Sequence, residues 1–159
     1  MRSCSSCDIP LGAIVSINSR ARSIFLNNRL RPLGLSAGQF PVLMLLCREQ
    51  NITQETLVRH YRLDKGTIAR AVKKLETAGY LRRTVDPANR RAVRLFLTRK
   101  GEQVTPVLRE IDREWEEKVC AGLTREEIDR VQALLRALTL NSYCMMQDSG
   151  EVPDDRTDN

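Results

Sequence analysis

Apolar residues recur at helical spacing near both ends of the chain. Over residues 11–31 they follow a period close to 3.6, which predicts one long amphipathic helix that ends at the Arg-Pro-Leu-Gly sequence of residues 31–34. Over residues 98–121 the apolar spacing of 4-3-4-4 is typical of a heptad-like seam, and a further seam continues over residues 124–146. We therefore expect one long N-terminal helix and two long C-terminal helices.

The middle of the chain predicts shorter helices. Ser36 with Gln39 matches a capping box and opens a helix to about Glu49, whose almost entirely apolar sequence places it in the core. Thr53 and Asp64 are N-cap residues for two further helices. The first of these covers residues 54–60 and the second covers residues 65–78, with a tight turn between them.

After Gly79 the apolar period changes from 3.6 to 2. Residues 81–85 and 92–97 therefore predict two strands of a β-hairpin, and the connection between them ends in two arginines. The order of these elements predicts a winged helix-turn-helix: a helix, a short helix, a tight turn, a further helix and a hairpin. The expected fold class is mainly α with a small β-hairpin, in which this module is flanked by N- and C-terminal helical dimerisation regions.

These elements divide the chain into three functional regions. We expect an N-terminal dimerisation helix at 11–34, a DNA-binding domain at 35–100 and C-terminal dimerisation helices at 101–147. Residues 1–10 and 148–159 are expected to be flexible tails. The apolar seams on both sides of the compact middle region exceed what one copy can bury, so we expect a homodimer.

Composition narrows the class of protein. Hydrophobic residues make up 42% and charged residues 29%, which is typical of a soluble globular domain. The longest strongly apolar run has six residues, whereas a membrane span needs about 20, and no signal-peptide pattern follows Arg2. We expect a cytoplasmic protein without a membrane partner, with its five cysteines as reduced thiols.

Positive charge is concentrated in the predicted module. The whole chain has a net charge of +6, but residues 59–100 contain 13 Lys or Arg against three Asp or Glu, a net charge of +10. An ordinary solvated surface would contain more compensating acids. The concentration indicates a surface that binds a polyanion, and in this fold the polyanion is double-stranded DNA.

The second helix of a helix-turn-helix enters the major groove with its N-terminal residues nearest the base edges. Lys65, Thr67 and Arg70 have side chains that can bind bases or phosphates, and Gly66 allows a close approach of the backbone. Residues further along the helix are expected to contact phosphates. The candidate recognition-helix residues are Lys65, Gly66, Thr67, Arg70, Lys73 and Lys74. In the hairpin, Arg90 and Arg91 are expected to reach the adjacent minor groove, and Asn89 is a further candidate DNA-binding residue of the wing.

Several segments together resemble the MarR family (multiple antibiotic resistance regulators), over about residues 11–146. They are the Leu-Ser-Ala-Gly-Gln-Phe sequence at 35–40, Leu-Asp-Lys-Gly-Thr-Ile-Ala-Arg at 63–70, Leu-Glu-Thr-Ala-Gly-Tyr-Leu at 75–81 and Leu-Thr-Arg-Lys-Gly at 97–101. The resemblance implies a dimer, a palindromic operator and repression relieved by a small ligand or an oxidant. It favours Arg91 as the minor-groove arginine. Asn89 replaces an aspartate that usually braces this arginine, a role that Asp86 could take.

Two other classes of function fit the sequence less well. His60 is the only histidine, has no carboxylate paired with it by spacing, and no catalytic or phosphate-loop motif occurs, so we expect neither an enzyme nor a cofactor. A winged helix used for protein–protein contact would have an apolar or mixed surface where this chain is basic.

The signal that the protein senses is left open between two hypotheses. In the first, a small aromatic or phenolic effector binds between the dimerisation region and the DNA-binding domain, where Arg20 or Arg22 could pair with a carboxylate. In the second, Cys4 and Cys7 form a thiol-based redox switch. No second pair of cysteines completes a zinc site, so no metal is expected.

Overall fold

The structure, a computed structural model, describes residues 9–85 and 93–148. Its helices are α1 (Leu11–Leu30), α2 (Phe40–Leu46), α3 (Gln54–Tyr61), α4 (Lys65–Thr77), α5 (Arg99–Val119) and α6 (Arg125–Asp148). Its strands are β1 (Ile52–Thr53), β2 (Leu81–Val85) and β3 (Val93–Leu97). The fold is mainly helical with one small sheet, as predicted. Within the described ranges, no helix combines the length and the apolar character that crossing a membrane requires.

The N-caps predicted at Thr53 and Asp64 are confirmed, and Thr98 caps α5 in the same way. In each case a side-chain oxygen accepts a hydrogen bond from the backbone N–H three residues later, which satisfies a donor that the helix leaves unpaired. The pairs are Thr53 with Thr56 (3.1 Å), Asp64 with Thr67 (2.8 Å) and Thr98 with Gly101 (3.2 Å). The beginnings of α3, α4 and α5 are therefore determined by local sequence.

The predicted beginning of α2 at Ser36 is wrong. The helix begins at Phe40 and ends at Leu46, so it is shorter at both ends than the apolar pattern indicated. The expected pair does form, because the Gln39 Oε1 atom accepts hydrogen bonds from the backbone N–H and the hydroxyl of Ser36, both at 2.9 Å. This pair closes a turn before the helix. Pro41 occupies the first turn of α2, where a missing N–H has no cost.

The predicted hairpin is part of a three-stranded antiparallel sheet with the order β1-β3-β2. Strands β2 and β3 pair as expected, from Leu81 opposite Leu97 to Val85 opposite Val93. The additional strand β1 places Ile52 opposite Leu95 on the other edge of β3. This pairing attaches the hairpin to the beginning of α3.

The core lies between the end of α1, helices α2 to α4, the sheet and the first half of α5. Its most deeply buried side chains are at most 2% exposed: Leu26, Leu30, Val42, Leu43, Leu45, Leu46, Leu57, Ile68, Val72, Leu75, Leu81, Leu95 and Leu108. Helix α1 contributes Leu26 and Leu30 to this core rather than the apolar stripe seen in its sequence. Each such side chain stabilises the fold by about 1.5–3 kcal/mol relative to an exposed one.

Large apolar side chains on α1 and α6 remain outside this core. On α1, Ile14, Ile17 and Ile24 are 44–57% exposed, and on α6 Leu134 and Leu140 are 59% and 64% exposed. No residue of α6 whose side chain is described is buried. A monomer rarely leaves this much apolar surface in contact with water.

A close backbone contact joins α5 to the end of α4 and the beginning of β2. A Cβ atom at Gly101 would lie 2.1 Å from the Tyr80 carbonyl oxygen and 3.0 Å from a methyl group of Leu97. The Thr98 backbone N–H donates to the same Tyr80 oxygen at 3.0 Å, and its hydroxyl donates to the Gly79 carbonyl at 2.6 Å. Only glycine therefore fits at position 101.

We expect Gly101→Ala to lower the free energy of unfolding by about 1–3 kcal/mol, because the methyl group must displace backbone rather than a flexible side chain. The matched control is Gly12→Ala, since a Cβ at this helical glycine meets nothing within 4 Å. That variant should be neutral or slightly more stable. Urea unfolding measures both, and equal stability of the two variants would contradict the packing argument.

Candidate nucleic-acid interface

Helix α4 is amphipathic, and its two faces differ in charge. Ile68, Val72 and Leu75 are at most 1% exposed and attach the helix to the core, as the sequence predicted. The cations of the opposite face are exposed: Lys65, Arg70, Lys73 and Lys74. The only acidic residue between positions 65 and 77 is Glu76, near the end of the helix. The helix thus presents an almost uncompensated cationic surface.

The first turn of α4 is organised by a chain of hydrogen bonds. Arg70 donates from Nη2 to the Thr67 hydroxyl oxygen at 2.9 Å, and the Thr67 backbone N–H donates to Asp64. The Thr67 hydroxyl also bonds the Asp64 carboxylate, and these bonds from Thr67 lower the pKa of Asp64 below its ordinary value. Two of the predicted base-reading residues are therefore held against each other in the unbound protein.

Gly66 leaves room for the side chains that meet over the first turn of α4. A Cβ at this position would lie 3.1 Å from the Asp64 carboxylate oxygen and 3.2 Å from Nη1 of Arg70. Both distances are tighter than ordinary van der Waals contact. A methyl group at position 66 would therefore shift the ends of these two side chains by a few tenths of an ångström.

Some of the cations counted in residues 59–100 have protein partners. Arg83 forms an ion pair with Glu76 at 3.0 Å, and Arg94 donates to the Asn51 carbonyl at 3.2 Å. Lys100 donates to the Ala78 carbonyl at 2.7 Å. These side chains hold the sheet and α5 in place, so the local charge of +10 overstates the number of cations available to a ligand.

The turn between α3 and α4 contacts the C-terminal helix. Arg62 has a left-handed backbone conformation with φ of 53°, and its guanidinium carbon lies 3.8 Å from the centre of the Tyr143 ring on α6. Sequence analysis missed this contact because no local pattern relates residues 81 positions apart. Beside it, the exposed His60 ring packs edge-on against Tyr61 at 4.7 Å.

The wing is described only in its strands. Arg90 and Arg91, predicted to reach the minor groove, lie outside the described residues, and so do the wing residues Asn89 and Asp86. Cys4 and Cys7, the candidate redox pair, also lie outside them. Within residues 9–85 and 93–148, no group of three or more His, Cys, Asp or Glu side chains could hold a metal ion.

The two candidate effector-binding arginines lie on α1 with different surroundings. Arg22 forms an ion pair with Asp112 of α5 at 3.1 Å, and its guanidinium carbon lies 5.6 Å from the centre of the Phe40 ring on α2. Arg20 is exposed and forms no hydrogen bond or ion pair with another described residue. A cavity of about 290 Å³ lies between α2 and α5, with Asp112 in its wall.

Comparison with known proteins places this geometry among transcriptional regulators. The sequence model of the MarR family matches residues 35–93. The chain is 33% identical over 127 residues to the uncharacterized HTH-type transcriptional regulator YybA of Bacillus subtilis, covering 80% of this chain and 85% of that protein.

Solved structures agree with the sequence comparison. A MarR transcriptional regulator from Methanosarcina mazei is 35% identical with a TM-score of 0.78, covering 86% of this chain and 98% of that one. A putative MarR family regulator from Listeria monocytogenes, solved in complex with 26mer DNA, is 26% identical with a TM-score of 0.82. The match covers 92% of this chain and 99% of that one.

The Asp64 cap generates a prediction about pH. Because the pKa of Asp64 is lowered by folding, the ionised cap stabilises the first turn of α4 at neutral pH. This stabilisation is lost as the pH falls through the lowered pKa. We expect the hydrogen-exchange protection of the Thr67 amide to decrease over that acid range.

Two controls isolate the effect of Asp64. The Thr56 amide is capped by the Thr53 hydroxyl, which does not titrate, so its protection should not follow the same pH dependence. Asp64→Asn keeps an acceptor and should remove the pH dependence at Thr67. Thr67 protection that stays constant while Asp64 titrates in the unmodified protein would contradict the prediction.

Proposed function

This chain belongs to the MarR family of DNA-binding transcriptional regulators, and we propose that it is a repressor that binds a palindromic operator as a homodimer. We further propose that a small aromatic or phenolic ligand releases it from the operator. The observation that carries the proposal is α4, whose apolar face is buried and whose exposed face has cations with almost no acids. This is the distribution required of a helix that enters a groove between two phosphate strands.

Each exposed residue of α4 takes a role according to its depth in the groove. Lys65, Thr67 and Arg70 lie in the first two turns and contact base edges, for which Arg70 must exchange its bond with Thr67 for one with a guanine or a phosphate. Lys73 and Lys74 contact phosphates. Arg90 and Arg91 at the end of the wing, with Asn89 beside them, extend the contact to the minor groove.

Dimer formation is supported by the apolar faces of α1 and α6. Ile17 and Leu135 are 57% and 49% exposed in a single chain, and such side chains are stabilised when a second copy covers them. A two-fold dimer places two copies of α4 about one helical turn of DNA apart, so half-sites are expected about 10 base pairs apart.

Effector binding is proposed for the junction of the dimerisation region with the DNA-binding domain. Arg22 there is half-exposed and paired with Asp112, while the nearby Arg20 is free among the described residues to meet an anion. A carboxylate-bearing aromatic ligand supplies an anionic partner for one of these arginines, and at Arg22 it would replace Asp112.

Selection of bound duplexes from a random pool, with and without salicylate, tests the proposal. We expect a palindrome, loss of binding with salicylate and a steep salt dependence, with a log-log slope of about −7 per subunit if eight phosphates are contacted. Arg70→Ala should weaken operator binding about 10- to 100-fold and relax the preference at one base pair. Lys73→Ala should weaken all duplexes equally and reduce the slope by about one.

Lys118→Ala is the control, because this cation lies on α5 and pairs with Glu114. It should leave both affinity and slope unchanged. Binding of the unmodified protein that does not respond to salt, or an Arg70→Ala variant that retains full affinity and preference, would contradict the proposed mode of recognition.

We expect the unmodified protein to sediment as a dimer at micromolar concentration. Leu135→Glu on α6 should shift it towards the monomer, because the charge would have to be buried against a second copy. Val85→Glu is the matched control, since Val85 is 54% exposed but lies on β2. A stable monomer for the unmodified protein, or equal dissociation of both variants, would contradict the proposed interface.

A further inference from the structure

Gln39 is the only polar residue among the described ones that is buried, with 6% of its surface exposed. Its side chain has a defined orientation, because Oε1 accepts two hydrogen bonds from Ser36, one from the backbone N–H and one from the hydroxyl. A backbone N–H can only donate, so the atom that it meets must be the carbonyl oxygen of the amide. The amide nitrogen therefore points away from Ser36.

This nitrogen, Nε2, donates to no other described residue. Every side-chain nitrogen or oxygen that is completely buried among the described residues does have a hydrogen-bond partner. Nε2 must therefore retain contact with solvent, although the rest of Gln39 is enclosed. Two fixed N–H donors at the edge of a buried side chain form a preorganised site for an acceptor.

The cavity in front of Gln39 has the charge that an anion requires. It has a volume of about 660 Å³ and lies between the turn before α2 and the second half of α4. Its polar lining residues are Ser36, Gln39, Arg70, Lys73, Lys74 and Thr77. None of them is acidic, and its available cations are Lys73 and Lys74, because the Arg70 guanidinium group is bonded to Thr67 in the first turn of α4. The cavity therefore suits an oxyanion.

The position of the cavity along α4 identifies the source of the oxyanion. Lys74 is nine residues after Lys65, which places it about 13 Å further along the helix axis. A recognition helix lies in the major groove with only its N-terminal residues nearest the base edges, so Lys74 lies far from the bases and is left to contact the sugar-phosphate backbone. The cavity therefore lies beside a DNA strand and not at the floor of the groove.

We propose that this cavity holds a backbone phosphate of the operator and that Gln39 donates to it from Nε2, together with Lys74. The inference rests on the proposed function, because it requires α4 to lie in the major groove. It adds a residue outside the helix-turn-helix to the DNA contacts. It also gives Ser36 a positioning role, since Ser36 orients the amide that donates.

Two substitutions of Gln39 test this contact. Gln39→Met removes the donor without adding charge and should weaken binding about 10-fold, equally for operator and random duplexes and with an unchanged salt slope. Gln39→Glu keeps an acceptor for Ser36 but opposes a phosphate with a carboxylate, and should weaken binding about 100-fold. Lys74→Met should instead reduce the slope by about one.

Gln103→Glu adds the same charge at an exposed position on α5 and should change affinity less than twofold. Melting temperatures show that each variant is folded before its affinity is interpreted. If Gln39→Met and Gln39→Glu both bind within twofold of the unmodified protein, the inference is wrong while the proposed function stands. If the unmodified protein itself binds no duplex in a salt-dependent manner, the proposed function fails.

A measurement on the unmodified protein distinguishes the two sources of an oxyanion. The side-chain amide resonances of Gln39 should shift when operator duplex is added and should shift far less with inorganic phosphate at the same phosphate concentration. A shift with inorganic phosphate alone, and none with the duplex, would overturn the assignment to the DNA backbone. Resonances that respond to neither would overturn the site altogether.

Discussion

The close approach between Gly101 and the Tyr80 carbonyl determines where α4 lies relative to α5. Tyr80 is three residues after the last residue of α4, so whatever holds its carbonyl also holds the end of that helix. The Thr98 amide shares that oxygen, and the Tyr80 hydroxyl donates to the Leu33 carbonyl at 2.6 Å. One residue thus connects the end of α4 to α5 and to the turn that precedes α2. Because the contact is between backbone atoms, it cannot be adjusted by changing a rotamer.

Because α4 is held in place by backbone contacts, the cations on its exposed face stay on one defined surface. Cations that brace the sheet, such as Arg83 and Lys100, are bonded to protein groups, whereas those of α4 face solvent on a helix whose position is fixed. Because the helix backbone is fixed, binding a polyanion would have to order only the side chains of α4 and not the helix itself, which reduces the entropy lost. The bond with Thr67 orders Arg70 before any ligand binds.

Local sequence was sufficient to predict the helices whose first turns are capped by their own side chains, because a cap and its amide are three residues apart. It was insufficient for β1, whose two residues are recognisable only by their pairing with Leu95 and Arg94. It misplaced the beginning of α2, because the bonds between Ser36 and Gln39 close a turn as readily as they open a helix. The same local pattern indicated only a capping role for Gln39. Its burial beside the cations of α4 could not be predicted, because it depends on how the turn before α2 packs against α4 in the tertiary fold.

Arg22 connects α1 with α2 and α5, and this position has a consequence for the proposed regulation. Its guanidinium group pairs with Asp112 on α5 and lies over Phe40, the first residue of α2. Since Gln39 immediately precedes Phe40, a displacement of the beginning of α2 also displaces Gln39, which lines the cavity beside α4. An anionic effector that replaced Asp112 as the partner of Arg22 would therefore act on the beginning of α2 at Phe40. Through Gln39, the preceding residue, it would also act on the proposed contact with DNA. A ligand shifts a protein only towards the conformation that it binds more tightly. Such an effector would therefore lower the affinity for DNA by the factor by which it prefers the conformation with a displaced α2 over the one that binds DNA.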